Sequence, residues 1–183
     1  MKQVVVYKSH YGTTKQYAKW LAEALHADLF EHSKVKARDL LGYDVIIYGG
    51  GLYAGGISGF SLITKNFEKL KNKQLIVFTV GLAHPENPDN LKSIQQSISK
   101  VLSPQAKDHI KFYHLRGGID YSQLGFIHKA MMVMLKKVLS KKDENELTED
   151  DKGLLATYGK TVDFTNQATL MPLINYVNTL THS

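Results

Sequence analysis

The sequence predicts an α/β fold, in which a doubly wound, five-stranded parallel sheet carries helices on both faces. Segments rich in β-branched residues alternate with amphipathic helical segments along the chain. The run Leu75–Val80 is continuously apolar, which is typical of a strand covered on both faces. Glycine and hydroxyl residues follow the first strand, and glycines follow the third. In a doubly wound sheet, ligands bind at these strand ends.

The first elements lie close to the N-terminus. A compact run, Val4–Tyr7, predicts the first strand, and Ser9 and Gly12 end it. The spacing of apolar residues predicts a helix from about Thr13 to His26. A weak second strand is expected around Asp28–Glu31.

The third strand and the helix after it follow the same order. Asp44–Tyr48 predicts a strong strand, and Gly49–Gly51 is expected to end it. Ser58 or Ser61 is a candidate cap for the next helix. One face of that helix is expected to carry Leu62, Ile63, Phe67 and Leu70.

The C-terminal half completes the pattern and adds an insertion. The fourth strand, Leu75–Val80, is followed by a helix near Asp89–Leu102 and by a fifth strand near Ile110–Leu115. A C-terminal helix is expected to hold Leu173, Ile174, Val177 and Leu180. A minimal five-stranded fold of this class has no element that corresponds to residues 117–142 or 143–164. We therefore predict a single domain over 1–183, with an insertion at about 118–147.

Length and composition limit the functional classes. The 183 residues suffice for one domain with a substantial core. The absence of cysteine excludes disulfides, thiolate catalysis and cysteine-ligated metals, and it fits a cytoplasmic location. No apolar run approaches the roughly 20 residues that span a bilayer, and the N-terminus lacks a signal-peptide pattern.

The chain is basic, with a formal net charge of +6 and an isoelectric point near 9.3. Most of its lysines and arginines are spread along the sequence, so no nucleic-acid partner is predicted. A net positive charge is equally compatible with binding to an anionic membrane surface and with the absence of a partner.

The turn after the first strand predicts a phosphate site. A helix opens there, and its unpaired N–H groups and positive dipole end favour an anion. Gly12 permits a close backbone approach, and hydroxyls add donors. The residues of the turn are Ser9, His10, Tyr11, Gly12, Thr13 and Thr14. The alternative is that these hydroxyls only cap a helix. A P-loop is excluded because its motif is missing, and the spacing of Gly49–Gly56 argues against a Rossmann dinucleotide site.

This turn resembles the phosphate loop of the flavodoxin family, which reads Ser/Thr-x-Thr-Gly-x-Thr. Ser9, Gly12 and Thr14 match the motif, and Tyr11 replaces the usual threonine. The stretch Tyr43–Gly49 is similar to the family's third strand. The resemblance covers residues 2 to about 118 and implies FMN as the cofactor.

An FMN ring would need close backbone approach and an apolar or aromatic wall. The resemblance implies that one wall follows the third strand and the other follows the fourth. The first wall comprises Gly51, Leu52, Tyr53, Ala54 and Gly55. The second comprises Val80, Gly81, Leu82, Ala83 and His84. Tyr53 is the candidate stacking residue, although a half-exposed loop tyrosine is the alternative. His84 is either a catalytic or a structural loop residue, and Asn87 and Gly117–Gly118 are weaker candidates at the rim.

The insertion contains a basic amphipathic helix, expected over Phe126–Lys142. This stretch resembles the Met-rich helical insertion of the menaquinone-dependent protoporphyrinogen oxidases, which belong to the flavodoxin type. The matching residues are Gly117, Gly118, Tyr121, Phe126–Lys129 and Met131–Lys136. The resemblance implies an FMN-dependent oxidation of a porphyrinogen with a quinone acceptor.

Three functional hypotheses follow from these features. The first is an FMN-dependent oxidoreductase reoxidised by a quinone or by a protein. The second is a non-enzymatic electron carrier, and the third is a flavin-free interaction domain. The helix over 126–142 either contacts an anionic membrane surface peripherally or packs on this domain or on a second copy. A homodimer is therefore also a candidate.

Overall fold

A computed structural model describes residues 1–53 and 56–181 of the chain. It contains five parallel strands that form the main sheet. They are β1 (Gln3–Lys8), β2 (Asp28–Glu31), β3 (Val45–Tyr53), β5 (Gln74–Gly81) and β6 (Lys111–Arg116). Three short strands accompany them, namely β4 (Gly56–Ile57), β7 (Gly118–Ile119) and β8 (Val162–Asp163).

The helices connect and cover these strands. They are α1 (Thr13–Leu25), α2 (Ala37–Leu40), α3 (Ser61–Thr64), α4 (Phe67–Leu70), α5 (Pro88–Ser99), α6 (Pro104–His109), α7 (Phe126–Leu139), α8 (Glu149–Thr157) and α9 (Met171–Thr181). Short 3₁₀ turns lie at His32–Lys34, Glu144–Glu146 and Gln167–Leu170. None of the helices in the described ranges is long and apolar enough to cross a membrane.

The strand order β2-β1-β3-β5-β6 confirms the predicted doubly wound parallel sheet. The chain moves outward from β1 to β2, and then crosses to the other side of β1 with β3. The order therefore reverses between β1 and β3. Such a switch point leaves a crevice at the carboxyl ends of the two strands.

The core lies on both faces of the sheet, because alternate residues of each strand point to opposite faces. In β1, Val4 and Val6 pack on the face that α2 to α6 cover. Val5 and Tyr7 pack on the face covered by α1 and α9. The same alternation in β5 explains why the predicted fourth strand is continuously apolar.

Two predicted boundaries differ from the structure. Gly49–Gly51 does not end the third strand, since β3 continues to Tyr53. A Cβ atom on Gly49 would lie 2.1 Å from Cζ of Phe78, so glycine is needed inside this strand for close packing. The helix predicted after this strand is divided into α3 and α4, and neither Ser58 nor Ser61 is its N-cap.

The insertion leaves the domain and returns to it at two short strands that pair with each other. Gly118 pairs with Asp163 and Ile119 pairs with Val162 in an antiparallel ladder. Residues 120–161 therefore form a lobe closed at its base by β7 and β8. The lobe starts near the predicted position of 118 and extends past the predicted end at about 147. Its acidic part contains α8, which begins with a capping box between Thr148 and Asp151.

Candidate functional site

A cavity of about 260 Å³ lies at the carboxyl ends of β1, β3 and β5. This is the edge at which the strand order reverses. The N-terminus of α1 opens onto one side of the cavity, and α7 of the insertion lies over another. The residues of three predicted segments and of the insertion therefore meet at one place.

The turn between β1 and α1 exposes backbone donors. Gly12 precedes α1 with φ of 97°, a conformation that favours glycine. The first α-helical bond joins the Gln16 N–H to the Gly12 carbonyl at 2.9 Å. The N–H groups of residues 13–15 therefore have no partner within the helix, and within the described ranges no side chain caps them. Unpaired N–H groups at a helix N-terminus favour the binding of an anion.

Side chains stabilise the turn from inside. Oγ of Ser9 accepts a hydrogen bond from the Gly12 N–H at 3.0 Å, so this hydroxyl holds the loop conformation. Thr14 is buried, with 2% of its surface exposed, whereas Ser9 and Thr13 are half-buried. The structure thus assigns different environments to the hydroxyl residues of the predicted loop.

His10 of the turn and His32 each contact a hydroxyl group. Nε2 of His10 lies 3.2 Å from Oγ of Ser58, and Nδ1 of His32 lies 3.3 Å from the Tyr48 hydroxyl. Burial lowers the pKa of His10, and Lys8 lowers it further. Burial and Lys8 also lower the pKa of His32. Both imidazoles therefore favour the neutral form beside a lysine.

The walls of the cavity come from the ends of β3 and β5. Leu52 and Tyr53 lie on one side, and Val80 and Leu82 lie on the other. Burial raises the pKa of Tyr53 to about 12, so its hydroxyl remains protonated at neutral pH. The cavity therefore offers apolar surface and an aromatic ring, with few charges.

Glycines allow the backbone to approach the cavity closely. A Cβ atom on Gly117 would lie 2.6 Å from Cγ1 of Val80 and 3.2 Å from Oγ1 of Thr13. On Gly81 it would lie 3.2 Å from Cδ1 of Leu52. Larger side chains at these positions would fill the crevice. This cradle fits a flat ring with backbone groups along its edge.

Helix α7 forms the roof of the cavity. Its inward residues are His128, Met131, Met132 and Leu135, which recur at helical spacing. Ile119 and Leu124 extend the same apolar lining. The roof is therefore apolar except for one imidazole.

The imidazole of His128 is held by two tyrosines. It stacks on the Tyr53 ring, with ring centroids 4.9 Å apart and an interplanar angle of 16°. Nδ1 of His128 also contacts the Tyr11 hydroxyl, which accepts a hydrogen bond from the Gly125 N–H at 3.2 Å. Inserting a planar ring between two others needs about 7 Å between their planes. A second ring can stack on this face of Tyr53 only after His128 moves.

The structure brings most of the predicted site residues to the cavity. The predicted residues that line it are Tyr11, Thr13, Thr14, Gly51, Leu52, Tyr53, Val80, Gly81 and Leu82. Ser9, His10 and Gly12 form the adjoining turn. Ala54 and Gly55 lie outside the described residues.

Ala83 and His84 do not line this cavity. Ala83 lines a neighbouring cavity, and His84 lines a larger cavity near Arg116. Nδ1 of His84 accepts a hydrogen bond from the Glu86 N–H at 3.3 Å. Asn87 caps α5 by accepting a hydrogen bond from the Asp89 N–H at 2.9 Å. These contacts hold His84 and Asn87 in the loop before α5.

Several cavity residues were not predicted as site residues. Ile119, Leu124 and the inward side chains of α7 follow the turn by more than 100 positions in sequence. The apolar spacing of the α7 residues indicates a helix face, but it does not indicate what that face covers. Among the described residues, no group of three or more carboxylate or imidazole side chains is placed to hold a metal ion.

Comparison with known proteins identifies the domain type. A family model described as the flavodoxin domain matches residues 4–146. A curated relative, an uncharacterized protein of Methanocaldococcus jannaschii, is 35% identical over 102 residues. That alignment covers 51% of this chain and 67% of the relative. The flavodoxin resemblance is thereby confirmed, whereas these matches do not support the resemblance to protoporphyrinogen oxidases.

Solved structures with a similar fold are distant in sequence. A WrbA-like flavodoxin from Agrobacterium tumefaciens is 23% identical, with a TM-score of 0.45, covering 67% of this chain and 87% of that one. Oxidised flavodoxin 2 from Bacillus cereus is 18% identical, with a TM-score of 0.42 and coverages of 85% and 94%. A flavoprotein from Lactobacillus acidophilus in complex with FMN is 16% identical, with a TM-score of 0.39 and coverages of 63% and 91%.

Proposed function

We propose that this chain, which belongs to the flavodoxin domain family, binds FMN and transfers electrons through it. The observation that carries the proposal is that two features meet at one edge of the sheet. The exposed N–H groups at the start of α1 adjoin an apolar cavity with an aromatic wall. An anionic tail and a flat ring in one ligand match this pair of features.

The phosphate of FMN would be held by the turn from Ser9 to Thr14. The N–H groups of residues 13–15 have no intrahelical partner and form the anion site. Ser9 keeps the turn in place through its bond to Gly12. The role of Ser9 is therefore to hold the backbone donors in position.

The ring of FMN would lie in the cavity between the ends of β3 and β5. Leu52 and Leu82 provide apolar walls, and Gly117 leaves room for the ring edge. FMN, when bound, supplies one- and two-electron redox chemistry. The chain contributes orientation, and the apolar lining of α7 excludes water from the ring.

The first experiment identifies the cofactor. Purified protein should be yellow, and the flavin released from it should be FMN. Apoprotein should quench FMN fluorescence with a saturable titration and bind riboflavin more weakly, because riboflavin lacks the phosphate. Colourless protein that gives no titration would reject the proposal and favour a flavin-free interaction domain.

A second candidate function is an enzyme that reduces or oxidises a small molecule at the flavin. The observation that favours it is the roof, because side chains of α7 cover the cavity instead of leaving it open to a protein partner. An apolar cavity with one imidazole suits a planar apolar substrate such as a quinone. A porphyrinogen with a menaquinone acceptor is the most specific form of this candidate.

Turnover separates the enzyme from the carrier. Holoprotein should be assayed with menaquinone and protoporphyrinogen, with and without lipid. A carrier would accumulate a one-electron reduced state and exchange electrons with a reductase, without turnover of either compound. Absence of protoporphyrinogen oxidation at every lipid content would eliminate the most specific form and leave FMN binding intact.

A further inference from the structure

Helix α7 has two different faces. Its inner face lines the cavity. Its outer face carries four exposed apolar side chains, namely Phe126, Val133, Met134 and Val138. Phe126 is 88% exposed and Met134 is 69% exposed, which are high values for side chains of this type. Exposed apolar side chains gathered on one helix mark a contact surface.

The charges on α7 have a single sign, and an acidic run from Asp143 to Asp151 follows the last lysines. Residues 121–142 contain five lysines and no acidic residue. Lys129 and Lys137 are exposed. The insertion itself engages two of the other lysines, since Nζ of Lys136 lies 4.4 Å from the Tyr158 ring centroid and Nζ of Lys142 lies 3.4 Å from Asp151. These contacts attach α7 to the lobe and leave its outer face uncovered by other described residues.

We propose that the outer face of α7 docks on the surface of an anionic lipid bilayer. Exposed apolar side chains among lysines are the pattern that inserts into the headgroup region, where the lysines meet lipid phosphates. The 14 residues of α7 are too few to span a bilayer, which fits a helix that lies in the surface plane. The proposal does not depend on FMN binding.

Charge also argues against a second copy of the chain as the occupant. Two outer faces packed together would bring lysines of the same sign into one interface. Such juxtaposition opposes association. An anionic bilayer instead offers the complementary charge over a wide area.

Cosedimentation with vesicles tests the proposal. The full chain should bind vesicles of equal parts phosphatidylglycerol and phosphatidylcholine, and it should bind pure phosphatidylcholine much more weakly. The double variant Lys129→Gln/Lys137→Gln should lower affinity for the anionic vesicles by about fivefold for each lysine removed. Phe126→Ser with Met134→Ser should reduce it by at least about tenfold.

Matched controls use exposed residues elsewhere. Lys65→Gln/Lys69→Gln removes the same charge, and Val101→Ser replaces a side chain that is 52% exposed. These controls should bind as the unaltered chain does. Circular dichroism and FMN titration of each variant verify that the fold and the cavity are intact.

Three outcomes would overturn the proposal. The first is the absence of binding to anionic vesicles. The second is equal loss in the control and α7 variants, which would indicate a general charge effect. The third is a concentration-dependent dimer that the α7 variants abolish, because the outer face would then be a contact between two copies.

Discussion

Gly12 determines the shape of the turn whose backbone N–H groups are proposed to bind phosphate. Its φ of 97° is unfavourable for residues with a Cβ atom, although no atom lies within 4 Å of the place where a Cβ would be. Backbone conformation is therefore the only constraint at this position. A substitution here tests the turn without introducing a clash.

We expect Gly12→Ala to destabilise the protein by about 1–3 kcal/mol and to weaken FMN binding at least tenfold, since the strained turn moves the donors. Urea unfolding and FMN fluorescence titration measure the two effects. Gly42→Ala is the matched control, because a Cβ there also meets nothing and its φ is ordinary. Unchanged FMN affinity in Gly12→Ala would contradict the phosphate site.

His128 occupies one face of Tyr53, the residue that the sequence predicts to stack on a flavin ring. Its ring contact and its contact with the Tyr11 hydroxyl both have to be broken before that face is free. Aromatic pairs contribute about 0.5–1.5 kcal/mol beyond their buried area. The cost of displacing His128 opposes FMN binding by a similar amount.

We therefore expect His128→Ala to bind FMN more tightly than the unaltered chain, by up to about tenfold. Stopped-flow fluorescence should also show faster association. His109→Ala is the control, since its imidazole contacts the Lys73 carbonyl at a site away from the cavity. Weaker binding in His128→Ala would indicate instead that the imidazole packs on the bound ring.

At the scale of the element, the glycines of β3 allow this central strand to pack closely against its neighbours. The ring of Phe78, which is fully buried, lies where a Cβ of Gly49 would be. A Cβ of Gly50 would lie 2.8 Å from the Ser58 carbonyl oxygen. The strand can approach β5 and the loop near β4 only because these residues have no side chain.

We expect Gly49→Ala to lower the free energy of unfolding by about 1–3 kcal/mol, because the added methyl group overpacks the core at Phe78. Gly42→Ala should change it much less, and Gly49→Ala/Phe78→Leu should recover part of the loss by making space. Urea unfolding with tryptophan fluorescence provides the measurement. A neutral Gly49→Ala would mean that the sheet adjusts at this position.

The chain enters and leaves the insertion at one short ladder, and α7 of the insertion also contacts Tyr11 and Tyr53. Because Ile119 and Val162 are directly paired, a two-residue turn is long enough to join them. Replacing residues 120–161 with Asn-Gly should leave the five-stranded sheet and its cooperative urea unfolding intact. The variant should still bind FMN through the turn, with a more solvent-exposed flavin spectrum. Loss of a cooperative transition would show that the lobe is part of the folding unit.

At the scale of the whole molecule, histidines with lowered pKa link stability to pH. Burial lowers the pKa of His114, whose Nδ1 lies 2.8 Å from Oγ1 of the buried Thr79. The pKa values of His10 and His32 are lowered as well. Below the ordinary value of about 6.5, the unfolded chain therefore binds more protons than the folded one.

The stabilisation that these neutral histidines contribute should be fully present above about pH 6.5. It should decrease as the pH falls from there through their lowered pKa values. Urea unfolding of the apoprotein from about pH 7 to about pH 5 measures this dependence. His114→Gln should flatten the curve, whereas His109→Gln should leave this contribution in place. A stability that rises on acidification over this range would contradict the linkage.

The sequence alone determines the order of the five main strands and predicts a phosphate site at the turn after the first of them. Local patterns suffice for these features, since the strands are apolar runs and the turn is a contiguous stretch between Ser9 and Thr14. The second strand and α1 were predicted within one residue of their bounds. Sequence could not show that β3 continues through its glycines, because the reason is the position of Phe78 on the neighbouring strand.

Only the tertiary structure shows which side chains cover the cavity opposite the turn. The amphipathic pattern of Phe126–Leu139 predicts a helix, but a pattern does not state which surface each face contacts. Packing directs His128, Met131 and Met132 into the cavity and leaves Phe126 and Met134 exposed. It also turns His84 away from the cavity, toward its own loop. These assignments depend on contacts between segments far apart in the chain, and such contacts exist only in the folded molecule.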